Sequence, residues 1–216
     1  MQLNQYIDHT LLKPTATPAD IKKLCKEAVE HQFYAICVSP SYIQLAKSAL
    51  EGSAVKIAAV IDFPLGAMTT KAKVFEAKDA IELGADEIDM VINIGMLKAE
   101  KIEYIENEIT EIKKAIGSKV LKVIIETCFL TDAEKKVVCH AALKANADFV
   151  KTSTGFGSGG ATFEDVKLMQ EIAGDKMQIK ASGGIKDRET AIKYIELGVS
   201  RLGTSSGIKL LTSDKK

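Results

Sequence analysis

With 216 residues, 46% of them apolar, the chain is long enough to bury a substantial core, and its 29 basic residues are matched by 29 acidic ones. That balance argues against nucleic acid or an anionic membrane as the main partner, so any anionic ligand must be small and held locally. Residues Met1 to Tyr6 show no basic stretch leading into an apolar one, and no segment approaches about 18 uninterrupted apolar residues, so a cytoplasmic location is expected.

In chain order, short β-branched runs fall at 6–12, 34–38, 56–62, 87–93, 122–127, 149–152, 178–181 and 201–204. Helical spacing fills the intervals. Capping signals open three of the helices: Thr17-Pro18-Ala19-Asp20, Thr131-Asp132-Ala133-Glu134 and Thr162-Phe163-Glu164-Asp165. Alternating strand and helix implies a parallel sheet, and with no Pro/Ser-rich linker the whole of 1–216 reads as one α/β domain.

One junction recurs in variant form. Leu83-Gly84-Ala85-Asp86, Lys144-Ala145-Asn146-Ala147 and Leu197-Gly198-Val199-Ser200 each end a helix on Gly or Asn and lead into a strand. A repeated unit of this kind favours a closed (β/α)8 TIM barrel, with an open doubly wound sheet as the alternative. Either fold binds ligands at the carboxyl ends of its strands, where Lys151, Lys180, Asp89 and Glu126 all fall.

Lys151 and Lys180 are costly there unless they act. Burial disfavours an ammonium, and two ammonium groups about 6 Å apart at an effective dielectric of about 20 repel by about 3 kcal/mol. One amine is then brought toward the range in which a free amine attacks a carbonyl. Spacing alone leaves open which lysine that is. Asp89 interrupts an apolar run and needs a partner; opposite the lysines it can hold one ammonium and relay protons, or form a purely structural ion pair. Asp62 and Glu126 are candidates for ion-pair partners. Cys25, Cys37, Cys128 and Cys139, like His9, His31 and His140, are too dispersed for a metal site or a disulfide framework, so no metal and no cofactor are expected.

Ser182-Gly183-Gly184-Ile185-Lys186-Asp187 and Gly203-Thr204-Ser205-Ser206-Gly207 are suited to phosphate, since glycine lets backbone N–H groups approach and these loops follow the seventh and eighth strands. Gly155-Phe156-Gly157-Ser158-Gly159-Gly160 formally matches the dinucleotide fingerprint, but the strand after it ends without an acidic residue for a ribose. It is read instead as a mobile loop over the lysine site. The loops after Asp62 and Asn93 are read as shaping the mouth.

Four segments together resemble the deoxyribose-phosphate aldolase family: Ile7-Asp8-His9-Thr10-Leu11-Leu12-Lys13-Pro14, Glu87-Ile88-Asp89-Met90-Val91, Val150-Lys151-Thr152-Ser153-Thr154-Gly155-Phe156 and Ile179-Lys180-Ala181-Ser182-Gly183-Gly184-Ile185. The resemblance runs from Asp8 to Gly207. It implies a metal-free class I aldolase on a (β/α)8 barrel that reversibly converts 2-deoxy-D-ribose 5-phosphate into glyceraldehyde 3-phosphate and acetaldehyde, in deoxyribonucleotide catabolism. It also implies that Lys151 forms the Schiff base, that Lys180 stays charged and tunes it, and that Asp89 relays protons. Phosphate and substrate contacts then fall on Gly155, Gly183, Gly184, Gly203, Ser205, Ser206 and Thr152, with Asp8 and Thr10 lining the pocket. Some members end in a tail tyrosine that folds over the site. Here the chain ends Thr212-Ser213-Asp214-Lys215-Lys216, so no such help is expected. A homodimer is the expected assembly. The rival readings are a Schiff-base aldolase for another phosphorylated substrate and a non-catalytic sugar-phosphate-binding barrel.

Overall fold

The computed structural model describes residues 2–212. Met1 and residues 213–216, on which the amino-terminal and tail expectations partly rest, lie outside the described residues. Eight parallel strands pair in chain order: β1 (Ile7–Leu11), β2 (Ala35–Val38), β3 (Lys56–Ile61), β4 (Glu87–Val91), β5 (Val120–Ile124), β6 (Phe149–Lys151), β7 (Gln178–Ser182) and β8 (Arg201–Thr204). β8 pairs back onto β1, so the sheet is a closed barrel and not an open one. Around it lie α1 (Pro18–Glu30), α2 (Ile43–Ala49), α3 (Thr70–Leu83), α4 (Ile94–Lys98), α5 (Ile102–Ile116), α6 (Asp132–Lys144), α7 (Phe163–Ala173), α8 (Arg188–Glu196) and α9 (Gly207–Leu211). None of the described helices is long and apolar enough to cross a membrane.

Local chemistry sets these boundaries. Thr17 and Thr131 close full capping boxes with Asp20 and Glu134, and Thr162 accepts from the backbone N–H of Asp165. Gly84, Asn146 and Gly198, the recurring junction residues, all turn left-handed, at φ 117°, 58° and 95°. The third, fourth and fifth strands stop short of the ends read from the sequence. Asp62 and Glu126 adopt φ 45° and 53°, and Asn93 caps α4 instead of extending β4.

Side-chain parity then divides two interiors. Ile36, Val38, Ile88, Met90, Leu121, Val123, Val150, Ile179 and Leu202 face outward into the core shared with the helices. Their alternates face the barrel axis, where only a small separate apolar cluster of Cys37, Ala58 and Val60 forms, with Leu12 and Phe63 against it. Charged side chains take up much of the rest of the axis.

Candidate active site

Seven buried ionisable side chains fill the axis: Asp8 from β1, Glu87 and Asp89 from β4, Lys122 from β5, Lys151 from β6, Lys180 from β7 and Arg201 from β8. At one end, Arg201 bonds Asp8 at 2.8 Å and Glu87 at 3.1 Å while stacking over Tyr34 at 3.6 Å. Lys122 bridges Glu87 at 2.6 Å to Asp89 Oδ1 at 2.7 Å. The other carboxylate oxygen, Asp89 Oδ2, receives both Lys151 at 2.7 Å and Lys180 at 2.8 Å. Lys180 also pairs closely with Asp8. Lys151 and Lys180 are register neighbours on adjacent strands, which brings both amines to one oxygen.

Four cations, Lys122, Lys151, Lys180 and Arg201, thus face three carboxylates, Asp8, Glu87 and Asp89. One positive charge has no counterpart. Burial pushes Asp89 up, but the ammonium groups of Lys122, Lys151 and Lys180 outweigh it and hold the carboxyl well below its usual range. For Lys180, burial favours the neutral amine, yet Asp8 and Asp89 reverse this and keep it an ammonium. Lys122 is likewise held charged against its burial, by Asp89 first. Only Lys151 goes the other way among the lysines of this column: burial lowers its proton affinity, Asp89 restores part, and Lys180 lowers it again. The surplus proton is therefore weakest on Lys151.

Lys151 also stands apart in access. A cavity of about 360 Å³ opens at the carboxyl ends of the strands and is lined by Lys151, Thr10, Gly155, Gly183, Gly184, Gly203, Ser205 and Ser206. Asp89 and Lys180 are fully buried and lie outside that lining. Gly183 and Gly184 take φ 87° and 83°, a conformation glycine adopts freely. Two expected contacts do not reach the cavity: Asp8, which is fully buried against Lys180 and Arg201, and Thr152. Adjacent to Lys151, it has the opposite parity, and its hydroxyl bonds the backbone of Ser182 at 3.1 Å. Lys13 and Lys186, exposed at the rim, also line the cavity.

Asp62 and Glu126 serve other groups. Asp62 pairs with the fully buried Lys73 at 3.2 Å, beneath α3, where Glu108 also bonds that lysine at 2.9 Å. Glu126 accepts from the backbone and hydroxyl of Thr154, anchoring the chain after β6 instead of pairing with a cation. The glycine-rich loop beyond it packs onto the turn after β7: a Cβ on Gly160 would stand 2.3 Å from the carbonyl oxygen of Gly183. Its Phe156 meets Phe63 edge-on at 5.3 Å, beside the cavity.

Gly203 is needed for its size. A Cβ there would lie 2.8 Å from Ser182 Cβ and 3.1 Å from Lys180 Cε. Gly203→Ala is therefore expected to displace Lys180, lowering stability by about 1–3 kcal/mol, as overpacking does, and turnover by about tenfold or more. Thermal unfolding and steady-state rates check both.

A closed parallel barrel whose mouth cavity ends on a lysine of weakened proton affinity has the parts that a lysine-dependent aldolase requires. A family model described as DeoC/LacD family aldolase matches residues 3–208, and the chain belongs to that family, which makes it an enzyme. It is 58% identical over 211 residues to a deoxyribose-phosphate aldolase of Finegoldia magna, covering 98% of this chain and 99% of that one. Identity to the deoxyribose-phosphate aldolase of Thermococcus kodakarensis is 56%, with 97% and 96% of the two chains covered. The tetrameric deoxyribose phosphate aldolase structure from Aeropyrum pernix superposes with a TM-score of 0.91 at 34% identity, covering 97% of this chain and 89% of that chain.

Proposed function

We propose that the chain, as a single catalytic domain, reversibly cleaves 2-deoxy-D-ribose 5-phosphate to glyceraldehyde 3-phosphate and acetaldehyde, with Lys151 as the nucleophile. The observation that carries the assignment of roles is that Lys151, alone among the four axial cations, both lines the mouth cavity and has its proton weakened. The names of the relatives support the substrate.

The free amine of Lys151 attacks C1 of the open-chain aldehyde, and loss of water from the carbinolamine leaves an iminium. The C3 hydroxyl gives up its proton, the C2–C3 bond breaks, and its electron pair moves through the iminium to form an enamine. Glyceraldehyde 3-phosphate departs. Protonation of the enamine carbon and hydrolysis of the new iminium then release acetaldehyde and restore the amine. Asp89, bonded to Lys151, holds and returns protons through water at this end of the axis, while Lys180 stays charged and keeps the Lys151 ammonium unfavourable.

The glycine turn at Gly183 and Gly184 and the hydroxyls of Ser205 and Ser206 receive the phosphate, with Gly155 and Gly203 giving it room and Lys13 and Lys186 adding positive charge at the rim. The small apolar cluster of Cys37, Ala58 and Val60 lies on the opposite side of the barrel, beneath Leu12 and Phe63, and suits the acetaldehyde carbon chain. Coupled detection of glyceraldehyde 3-phosphate released from 2-deoxy-D-ribose 5-phosphate tests the assignment; no release, with turnover of another phosphorylated sugar, would transfer it to that substrate.

The same reading makes the protein a cytoplasmic enzyme acting on small molecules, assembled as a homodimer. Exposed Met68 and Phe75, which share one surface hollow, and Leu65, 74% exposed just before them, supply an apolar face for self-association. The Aeropyrum pernix relative is a tetramer, so sedimentation of this protein distinguishes the two assemblies.

A further inference from the structure

Glu87 and Arg201 lie at the end of the barrel away from the mouth cavity. They line instead a separate cavity of about 720 Å³, shared with Tyr34 and Phe149. Neither residue lines the substrate cavity. Both are nevertheless joined to Lys151 by unbroken contacts: Glu87 to Lys122 at 2.6 Å, Lys122 to Asp89 at 2.7 Å, and Asp89 to Lys151 at 2.7 Å. On the other side Arg201 holds Asp8 at 2.8 Å, and Asp8 holds Lys180.

We infer that Glu87 and Arg201 are positioning residues for the aldol chemistry, setting from the far end of the barrel whether Lys151 carries a proton. The inference rests on Lys151 being the nucleophile, as proposed above. Its physical basis is the charge balance of a buried interior. With four cations against three carboxylates, one proton is in excess, and it leaves most readily from the amine that reaches the cavity. Changing the charge at the far end changes that excess without touching the site where substrate binds. Salt screens buried charges poorly, so the effect is carried along the axis.

The groups facing Lys151 are accounted for strand by strand. Asp89 and Lys180 are the charged groups that act on it directly, Lys122 and Asp8 are bonded to those two in turn, and Cys37 on β2 has its thiol pushed up by burial and stays neutral. From β3 only Ala58 and Val60 face inward. Tyr34 stacks on Arg201, and Glu126 is turned to Thr154. Glu87 and Arg201 complete the set.

A unit charge about 10 Å away at an effective dielectric of about 20 moves a pKa by about one unit. Glu87→Gln keeps the shape of the side chain and leaves two excess positive charges, so the acid limb of kcat/KM against pH moves down by about one pH unit. Arg201→Met removes the excess, and the limb moves up by about as much. The double variant restores one excess charge, and its limb returns to within a few tenths of a unit of the parent. The pH at which borohydride traps acetaldehyde on Lys151 follows the same order in each case.

Circular dichroism shows which variants are folded; should Arg201→Met unfold, Glu87→Gln and the double variant decide. A limb that stays in place in folded variants, or that moves the same way in both single variants, overturns the inference. A purely structural role lowers kcat at every pH and leaves the limb where it was, which also overturns it. Failure of the functional reading is separate: a parent enzyme that traps no acetaldehyde on Lys151 rejects that reading before any variant is compared.

Discussion

Replacing Lys151 by Ala is expected to reduce cleavage of 2-deoxy-D-ribose 5-phosphate by about 10⁴-fold or more, the scale of loss when a covalent nucleophile is removed. Steady-state assays at enzyme concentrations high enough to see residual turnover measure it. The same variant is expected to fold with little penalty. Lys151 is the surplus cation, so its removal leaves Lys122, Lys180 and Arg201 against Asp8, Glu87 and Asp89, and no carboxylate is stranded. The amine also lies at the floor of the open cavity, where water fills the space it vacates. A stability loss of under about 2 kcal/mol is expected, the ordinary range for one substitution.

Lys180→Leu has the opposite character. Lys180 is fully buried and bonds both Asp8 and Asp89, so its loss leaves two buried carboxylates short of a partner. Breaking such a network costs about 3–5 kcal/mol, and chemical denaturation against the parent reads it directly. The catalytic effect has a definite sign. An ammonium at Lys180 opposes protonation of Lys151; without it, the two carboxylates favour the Lys151 ammonium. The free amine then appears only at higher pH. A charge about 6 Å away at an effective dielectric of about 20 moves the pKa by about two units, so the acid limb of activity and of covalent trapping rises by about that amount. An unmoved limb in a folded variant would contradict the tuning role given to Lys180.

The lysine pair and Asp89 were legible in the sequence because each breaks an apolar run at a strand end. Their partners were not, for a reason of position. Lys122 stands first in the run 122–127 and Arg201 first in 201–204, where a charged residue looks like a solvated strand entrance. β5 in fact begins two residues earlier, at Val120, which carries Lys122 into the barrel. Arg201 is buried because β8 closes onto β1 and stacks it on Tyr34, a contact between residues far apart in the chain. The parity of Glu87 with Asp89 was a readable signal, since residues two apart on a strand share a face. Parity also explains Thr152: as the neighbour of an inward lysine it must face the other way.

The choice between the lysines required geometry of a different kind. Both occupy the same strand register and bond the same oxygen, so neither spacing nor local chemistry separates them. Asp8, supplied by the first strand, makes the difference by fixing Lys180 as an ammonium below the cavity floor. The barrel itself was more accessible. Its recurring helix ends at Gly84, Asn146 and Gly198 all take the left-handed turn that the repeated pattern implied.

The account stands or falls on the covalent site. Borohydride reduction in the presence of acetaldehyde, followed by intact mass and peptide mapping, is predicted to place a single ethyl group on Lys151 and none on Lys180. An ethyl group on Lys180, or an unmodified chain under conditions where the enzyme turns over, would contradict it.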